Sequence, residues 1–468
     1  MVQIPVLSGI FTDANSDFRN SYPRNLIPVP KDEGISKGYI RPADGIVEFS
    51  SNAPGIDRGG INWDGVLYRV MGSKLVSIDE FGAITTIGDV DAGGQVTLDY
   101  SFDFLGIASN KKLFLFDKGT LKQNTDEDLG DVIDFIWIDG FFMTTDGLSL
   151  VVTELNDPFA VNPLKFGSSE IDPDPIVGLL ELNNEAYALN RFTIEVFENV
   201  GGLGFPFQRI ESAAIRRGCI GTHAKAIFLE QIAFMGGARN EATSVWLGIS
   251  GQSRRIATRE IDQILAEFTE TQLADVVMEV RVDKGHQFLY IHLPDRTIVY
   301  DGAASAIVGQ PIWFTLGSSV VGNSIYKARN LVRVYDKWIV GDPTDNRVGR
   351  FVDNISSHYG ELIGWDFGTI IVYNGGFGAV FHRLELVSLT GRSAFGDDST
   401  IWMSYSFDGV AFSQEFPLPV GKQGDRNNRI AWLQAFAMNN WAVVKFRGTS
   451  DAHMSIARLE ATLEPLNV

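Results

Sequence analysis

Short apolar or alternating runs recur along this chain, each pair joined by a tight turn, at a spacing of about 30–50 residues. The first clear unit is Val66-Leu67-Tyr68-Arg69-Val70, the turn Met71-Gly72-Ser73, and Lys74-Leu75-Val76-Ser77-Ile78. It returns as Phe104-Leu105-Gly106-Ile107-Ala108, Ser109-Asn110-Lys111 and Lys112-Leu113-Phe114-Leu115-Phe116. It returns again as Phe135-Ile136-Trp137-Ile138, Asp139-Gly140, Phe141-Phe142-Met143-Thr144-Thr145 and Leu148-Ser149-Leu150-Val151-Val152. Further copies centre on residues 176–197, 226–247, 280–300 and 331–351. Repeated small sheets whose edges are covered by their neighbours make a β-propeller. Several units and a closing strand from the N-terminal arm would fill residues 40–356, without fixing the blade number. Two antiparallel sandwiches with irregular hairpin spacing are the alternative.

At 468 residues the chain exceeds the roughly 250–300 residues at which a single core stops growing, so two or more domains are expected. Its 48 glycines in 468 residues stand above the usual ~7% and favour tight turns. The first sixty residues carry turn formers, as in Asp13-Ala14-Asn15-Ser16-Asp17 and Pro28-Val29-Pro30-Lys31-Asp32-Glu33-Gly34, and read as an extended arm. Near the other end, Ile370-Ile371-Val372-Tyr373, Phe381-His382-Arg383-Leu384-Glu385-Leu386, Ile401-Trp402-Met403-Ser404-Tyr405, Ala442-Val443-Val444-Lys445-Phe446 and Ile456-Ala457-Arg458-Leu459-Glu460 alternate as a sandwich requires. The expected division is an N-terminal arm at 1–40, a β-propeller domain at 41–359 and a C-terminal β-sandwich domain at 360–468. The class is all-β with a short helical insertion. Ile261, Ile264, Leu265 and Phe268 follow at helical spacing behind Thr258 as N-cap, and a second short helical start lies at Thr269-Glu270-Thr271-Gln272-Leu273. The insertion serves either as a connection between blades or as a partner-binding helix.

Lys and Arg number 39 against 58 Asp and Glu, a formal charge of −19, so broad attraction to phosphate backbones is unavailable. The pairs Arg216-Arg217 and Arg254-Arg255 are local basic spots that either face DNA or stay solvated. The single cysteine, Cys219, excludes an internal disulfide framework and a multi-cysteine metal site. The start, Met1-Val2-Gln3-Ile4-Pro5-Val6, has neither the basic region nor the apolar run of a signal peptide. Residues 302–326 lack Asp, Glu, Lys and Arg, but their glycines, Pro311, Gln310 and Asn323 predict strands and turns instead of a membrane span.

No residue is assigned a catalytic, cofactor-binding or metal role. The histidines, His223, His286, His292, His358, His382 and His453, are scattered without a helical H-x-x-x-H pattern, and only His286 and His292 share a hairpin. Gly248-Ile249-Ser250-Gly251 lacks the full nucleophile-elbow spacing and reads as a turn. Residues 55–60 lack a G-K-[ST] ending, and Gly201-Gly202-Leu203-Gly204 opens no helix. Ser406-Phe407-Asp408-Gly409-Val410-Ala411-Phe412 comes near the Asp-box of sialidase-type propellers but is one residue short between Asp and Gly. It reads as a hairpin turn between strands ending at Tyr405 and starting at Phe412. A carbohydrate-active propeller, which needs paired carboxylates in a cleft, or a glycan-binding one, is the alternative functional class.

The chain resembles the tail hub proteins of short-tailed phages, also called packaged-DNA stabilisation proteins or tail accessory factors. The resemblance lies over Val66-Leu67-Tyr68-Arg69-Val70 with Gly72 and Lys74-Leu75, and over Gly251-Gln252 through Ile256-Ala257-Thr258 to Ile261. It continues over Ile291-His292-Leu293-Pro294, Val299-Tyr300-Asp301 and Ile355-Ser356-Ser357-His358-Tyr359, in family order. It implies a non-enzymatic virion protein of the tail machine, assembled in the host cytoplasm. That protein would be a homo-hexamer joining the portal–adaptor complex to the tail needle and tailspike trimers, closing the DNA channel and retaining packaged DNA until ejection. DNA contact would be transient, with no stable membrane insertion and no cofactor. The acidic balance would let DNA slide past without sticking. Candidate partner surfaces are the arm before Gly60 and the insertion at 258–273.

Overall fold

The computed structural model of the protein describes residues 2–4, 10–12, 19–31, 36–202, 204–353, 355–393, 399–449 and 454–466. The first hairpin unit grows into an antiparallel sheet of Asp57–Trp63, Val66–Met71, Lys74–Ile78 and Ile84–Asp89. Its first turn places Asp64 and Gly65 at φ 54° and 78°, the left-handed pair that matches strand twist in a two-residue hairpin. Six further sheets follow the same plan, so the described residues form seven blades. Each blade is covered on both faces by its neighbours, which is why its strands are apolar with little alternation. All five residues of Phe141–Thr145 are buried. The core therefore lies between blades: Tyr68, Val70 and Leu75 meet Leu105, Ile107 and Phe114, while Leu113 and Leu115 meet Phe135 and Phe142.

The ring closes with strands from distant parts of the chain. Arg329–Val334, Lys337–Gly341 and Val348–Val352 accept Gly45–Ser50 as their outermost strand, with Phe351 opposite Ile46. Polar side chains on the innermost strands then staple neighbouring blades. Asp99 Oδ2 accepts from Trp137 N at 2.6 Å, and Asp134 Oδ2 accepts from Leu179 N at 2.7 Å. Asp134 also takes the Thr97 hydroxyl at 2.6 Å and pairs with Lys225. Glu279 accepts from Asn330 N and Leu331 N at 2.9 and 2.6 Å. Between first and last blades, Asp57 takes Asn330 Nδ2 at 2.5 Å and Arg69 Nε at 2.7 Å, and Arg69 is fully buried.

The insertion is helical at Arg259–Leu265 and Glu270–Ala274, capped by Thr258 and Thr269. Ile261 and Leu265 are buried in the core shared with blades four to six, so its apolar face is used as a connection. The reading of 302–326 as strands and turns holds only in part. Gly302–Val308 is an α-helix, with the Asp301 side chain accepting from Ala304 N and Gly309 at φ 74° ending it.

A two-sheet sandwich follows. One sheet is ordered Leu26–Pro30, Gly38–Pro42, Ile456–Pro465, Ala379–Ser388, Ile430–Met438, with Val2–Ile4 also on Ile456–Pro465. The other is ordered Trp365–Gly368, Trp441–Gly448, Thr400–Ser406, Phe416–Pro419, with Val372–Tyr373 also on Trp441–Gly448. Phe381 stacks on Phe436 at 4.4 Å within the first sheet and Phe367 on Phe446 at 5.2 Å within the second, and Trp432 meets Phe446 across them at 5.5 Å. Residues read as an extended arm are thus pleated into sheets, Leu26, Ile27 and Ile40 being buried, and the closing strand expected from the arm is Gly45–Ser50.

Asp57→Ala leaves Arg69 as an unpaired buried cation at the ring closure and is expected to lower stability by about 3–5 kcal/mol. Replacing both as Asp57→Ala/Arg69→Met restores most of it. Denaturant melts of the two variants measure this, and equal losses in both would contradict the pairing.

Candidate functional site

Among the described residues, polar side chains gather at the mouth of the propeller's central channel and at the joint between propeller and sandwich. The mouth is a funnel of about 950 Å³, lined by the turns that join one blade to the next and by Gly72-Ser73 and Asn110-Lys111. A narrower section of about 220 Å³, lined by inner-strand residues including Glu279 and Asn330, shares Gln95, Thr97 and His223 with it. Arg58 braces the rim: Nε donates to Gly94 O at 2.6 Å, and its terminal nitrogens donate to the carbonyls of Gly72 and Asp91 and to the Ser109 hydroxyl. Burial pushes the His223 pKa down to about 4, so this ring is neutral at pH 7. Burial also pushes Asp99 up to about 6. On the opposite face, the turn residues Phe81 and Phe102 are 84% and 91% exposed.

The joint is built by Pro23-Arg24-Asn25. Arg24 pairs through its backbone with Asp366 of the sandwich, and Asn25 N and Pro23 O bond Thr315 O and N of the sixth blade at 2.8 Å each. The Arg24 side chain donates Nε to Asp366 Oδ2 at 2.7 Å and its terminal nitrogens to the carbonyls of Ser319, Val320 and Gly322 at 3.0–3.2 Å. Asn25, at φ 55°, donates to Gly364 O at 2.7 Å and accepts from Gly317 N at 2.9 Å. Asp44 adds a third tie, 2.9 Å from Arg41 and 2.7 Å from Arg281 of the sixth blade. Burial works to raise its pKa, but Arg281 and Arg41 prevail and bring it down to about 2.

The residues singled out in sequence are dispersed. His286 sits 2.5 Å from Asp301; His292 lies 2.6 Å from Glu279 and 2.9 Å from the Thr297 hydroxyl; His382 is exposed beside Glu464. His453 lies outside the described residues. Among the described residues, no group of three or more His, Cys, Asp or Glu is placed to hold a metal ion, and no helix is long and apolar enough to cross a membrane. Cys219 is buried against the carbonyls of Gly221 and Ala224, its thiol pushed up by burial. Arg217 pairs with Glu241 and covers Trp246, and Arg255 pairs with Asp262, so these two cations are committed within the fold. Ser250 and Gly251 form the hairpin turn between Ser244–Ile249 and Gln252–Arg255. Asp408 Oδ1 accepts from Val410 N and Ala411 N in a loop whose next strand begins at Phe416, later than Phe412. Sequence reasoning missed Arg24, whose partners lie about 290–340 residues away, a distance at which no local pattern carries a signal.

His358, wholly buried beside the joint, meets the Ser318 hydroxyl at 2.7 Å, and burial with Lys327 nearby lowers its pKa to about 3. A base whose folded pKa lies below its unfolded one stabilises the fold fully above pH 6.5 and loses that contribution as pH falls toward 3. At pH 5 this one residue is expected to cost about 2 kcal/mol. Asp99 works in the opposite sense, since its raised pKa favours the fold as pH falls through 6. The readout is therefore the difference between the protein and His358→Gln in melts at pH 7 and pH 5. The variant should lose less on acidification; equal losses would contradict a buried neutral imidazole.

Residues 2–356 match the family model described as "Bacteriophage P22 Gp10, beta-propeller", and residues 364–464 match "Bacteriophage P22 Gp10, beta-sandwich". The tail hub protein gp10 of Salmonella phage P22 is 26% identical over 489 aligned residues, covering 99% of both chains. Among solved structures, the Neurospora crassa Pan2 WD40 domain aligns at 9% identity and TM-score 0.42, over 65% of this chain and 95% of that one. Kluyveromyces lactis Hsv2 aligns at 9% identity and TM-score 0.36, over 71% and 95%. Family, coverage and two-body architecture agree with the resemblance read from the sequence: the chain belongs to the P22 gp10 family, the tail hub structural proteins of the phage virion tail.

Proposed function

We propose that this hub acts as a non-catalytic hexameric ring. It joins the portal–adaptor complex to the tail needle and the tailspike trimers, closes the DNA channel and retains packaged DNA until ejection. The observation that carries the reading is the match to a tail hub protein along 99% of both chains. The functional units we propose are an N-terminal stretch at 1–40, a propeller at 41–359 and a sandwich at 360–468.

The physical design supports this role. A connector must hold its docking faces at fixed separation, and here one polar joint and the closing strand couple two β bodies. Exposed apolar side chains such as Phe81 and Phe102 are the kind of surface that a partner covers. The net charge of −19 keeps DNA contact transient, because tight binding requires phosphate neutralisation.

Sedimentation of the purified chain, alone and mixed with the portal–adaptor complex of the same phage, tests the assembly. Migration with the large particle at about six copies per ring is expected. A chain that remains small and free would contradict the connector role and turn attention to glycan binding or hydrolysis.

A further inference from the structure

Most charged side chains around the propeller channel are committed to a partner. Asp57 is taken by Arg69 and Asn330, and Glu279 by the amides of Asn330 and Leu331 and by His292 at 2.6 Å. Lys225 pairs with Asp134, Lys111 with Asp131 at 3.0 Å, and Arg58 with three carbonyls and a hydroxyl. Arg329 is different. It opens the innermost strand of the seventh blade, Arg329–Val334, and its side chain lines the funnel. Its Nε is buried without a hydrogen-bond partner, and among the described residues no carboxylate pairs with the guanidinium, Asp57 being held by Arg69 and Glu279 lying against His292. Glu279 and Asp57 are near enough to favour its charge, although burial is the larger influence and lowers its pKa. A largely buried cation without a contact partner is costly to maintain, and the space beside it is open.

We propose that the funnel is a docking site for a carboxylate carried on an acidic protein segment, which enters from the funnel mouth and takes the Arg329 guanidinium as its ion-pair partner. A carboxylate matches the planar donor fork of arginine. A phosphate dianion fits less well, because Asp57 and Asp275 line the same funnel, Glu279 lines the narrower section, and among the described residues Arg329 is the one funnel cation left unpaired. A volume of about 950 Å³, a cube of roughly 10 Å edge, admits a side chain and its flanking backbone but not a nucleic-acid duplex, whose major groove alone is about 12 Å wide. His223 lies at the same place and feels the Arg329 charge, so its ring reports on occupancy.

This inference does not rest on the hexamer or on any assembly partner, and the isolated full-length chain tests it. The ¹³C-labelled histidine ring signals are followed while the capped peptide acetyl-Gly-Glu-Gly-amide is added, with acetyl-Gly-Gln-Gly-amide as the neutral control. The His223 signal is assigned by its loss in His223→Gln. The glutamyl peptide should shift that signal saturably and the glutaminyl peptide should not. Arg329→Gln should weaken the response about tenfold or more, the scale of one charged hydrogen bond. Absence of a saturable shift, or equal shifts from both peptides, would overturn the proposal. So would tighter binding of inorganic phosphate or of an oligonucleotide, which would make the site a phosphate site. If Arg329→Gln fails to fold, the comparison of the two peptides on the unaltered protein decides.

Discussion

The relative placement of the two bodies depends on one buried arginine. Arg24 and its neighbours pair with Asp366 on one side and Thr315 on the other, so backbone hydrogen bonds run from the sixth blade through this segment into the sandwich. A long side chain that commits four of its five N–H donors to Asp366 and three carbonyls resists rotation about the joint, because any tilt leaves buried donors or acceptors unpaired. From that point the chain enters the sandwich as Leu26–Pro30 and Gly38–Pro42 and then closes the propeller as Gly45–Ser50. One short stretch therefore fixes the orientation of both bodies and completes the ring.

Within the ring the dominant stabilisation is apolar burial between blades, which is non-directional and would tolerate some sliding of one blade on the next. The inner-strand staples remove that freedom. Asp99 on Trp137 N, Asp134 on Leu179 N and Glu279 on Asn330 N and Leu331 N each bind the backbone of the following blade. A shift of one residue would strand a buried carboxylate. These groups contribute less to net stability than to a single register, and among the described cations that line the funnel they leave Arg329 without a partner.

The hairpin units were legible because turn residues and apolar strands sit next to each other in sequence, as in Val66–Met71 and Lys74–Ile78. The blade number was not, because Thr97–Tyr100 is four half-exposed or exposed residues without alternation, whereas the closing strand expected from the N-terminal arm is present as Gly45–Ser50. Gly302–Val308 was misread since its small residues make no amphipathic stripe, leaving only Asp301 and Gly309 as end signals. The strand Ile430–Met438 escaped notice because Gln434, at φ 48°, interrupts its period of two. Arg24 and Arg329 were illegible for a deeper reason: the role of each is defined by groups brought together only by the complete fold.

The central claim is that the N-terminal segment is a structural element of both bodies, and amide hydrogen exchange on the intact chain, read across residues 19–50 and at Thr315 and Asp366, tests it most directly. The account predicts that the amides of Arg24, Asn25, Thr315 and Asp366, all hydrogen-bonded at the joint, exchange as slowly as those of the inner blade strands. Fast exchange at these four positions while the blades stay protected would mean that the joint opens independently, and would contradict the account.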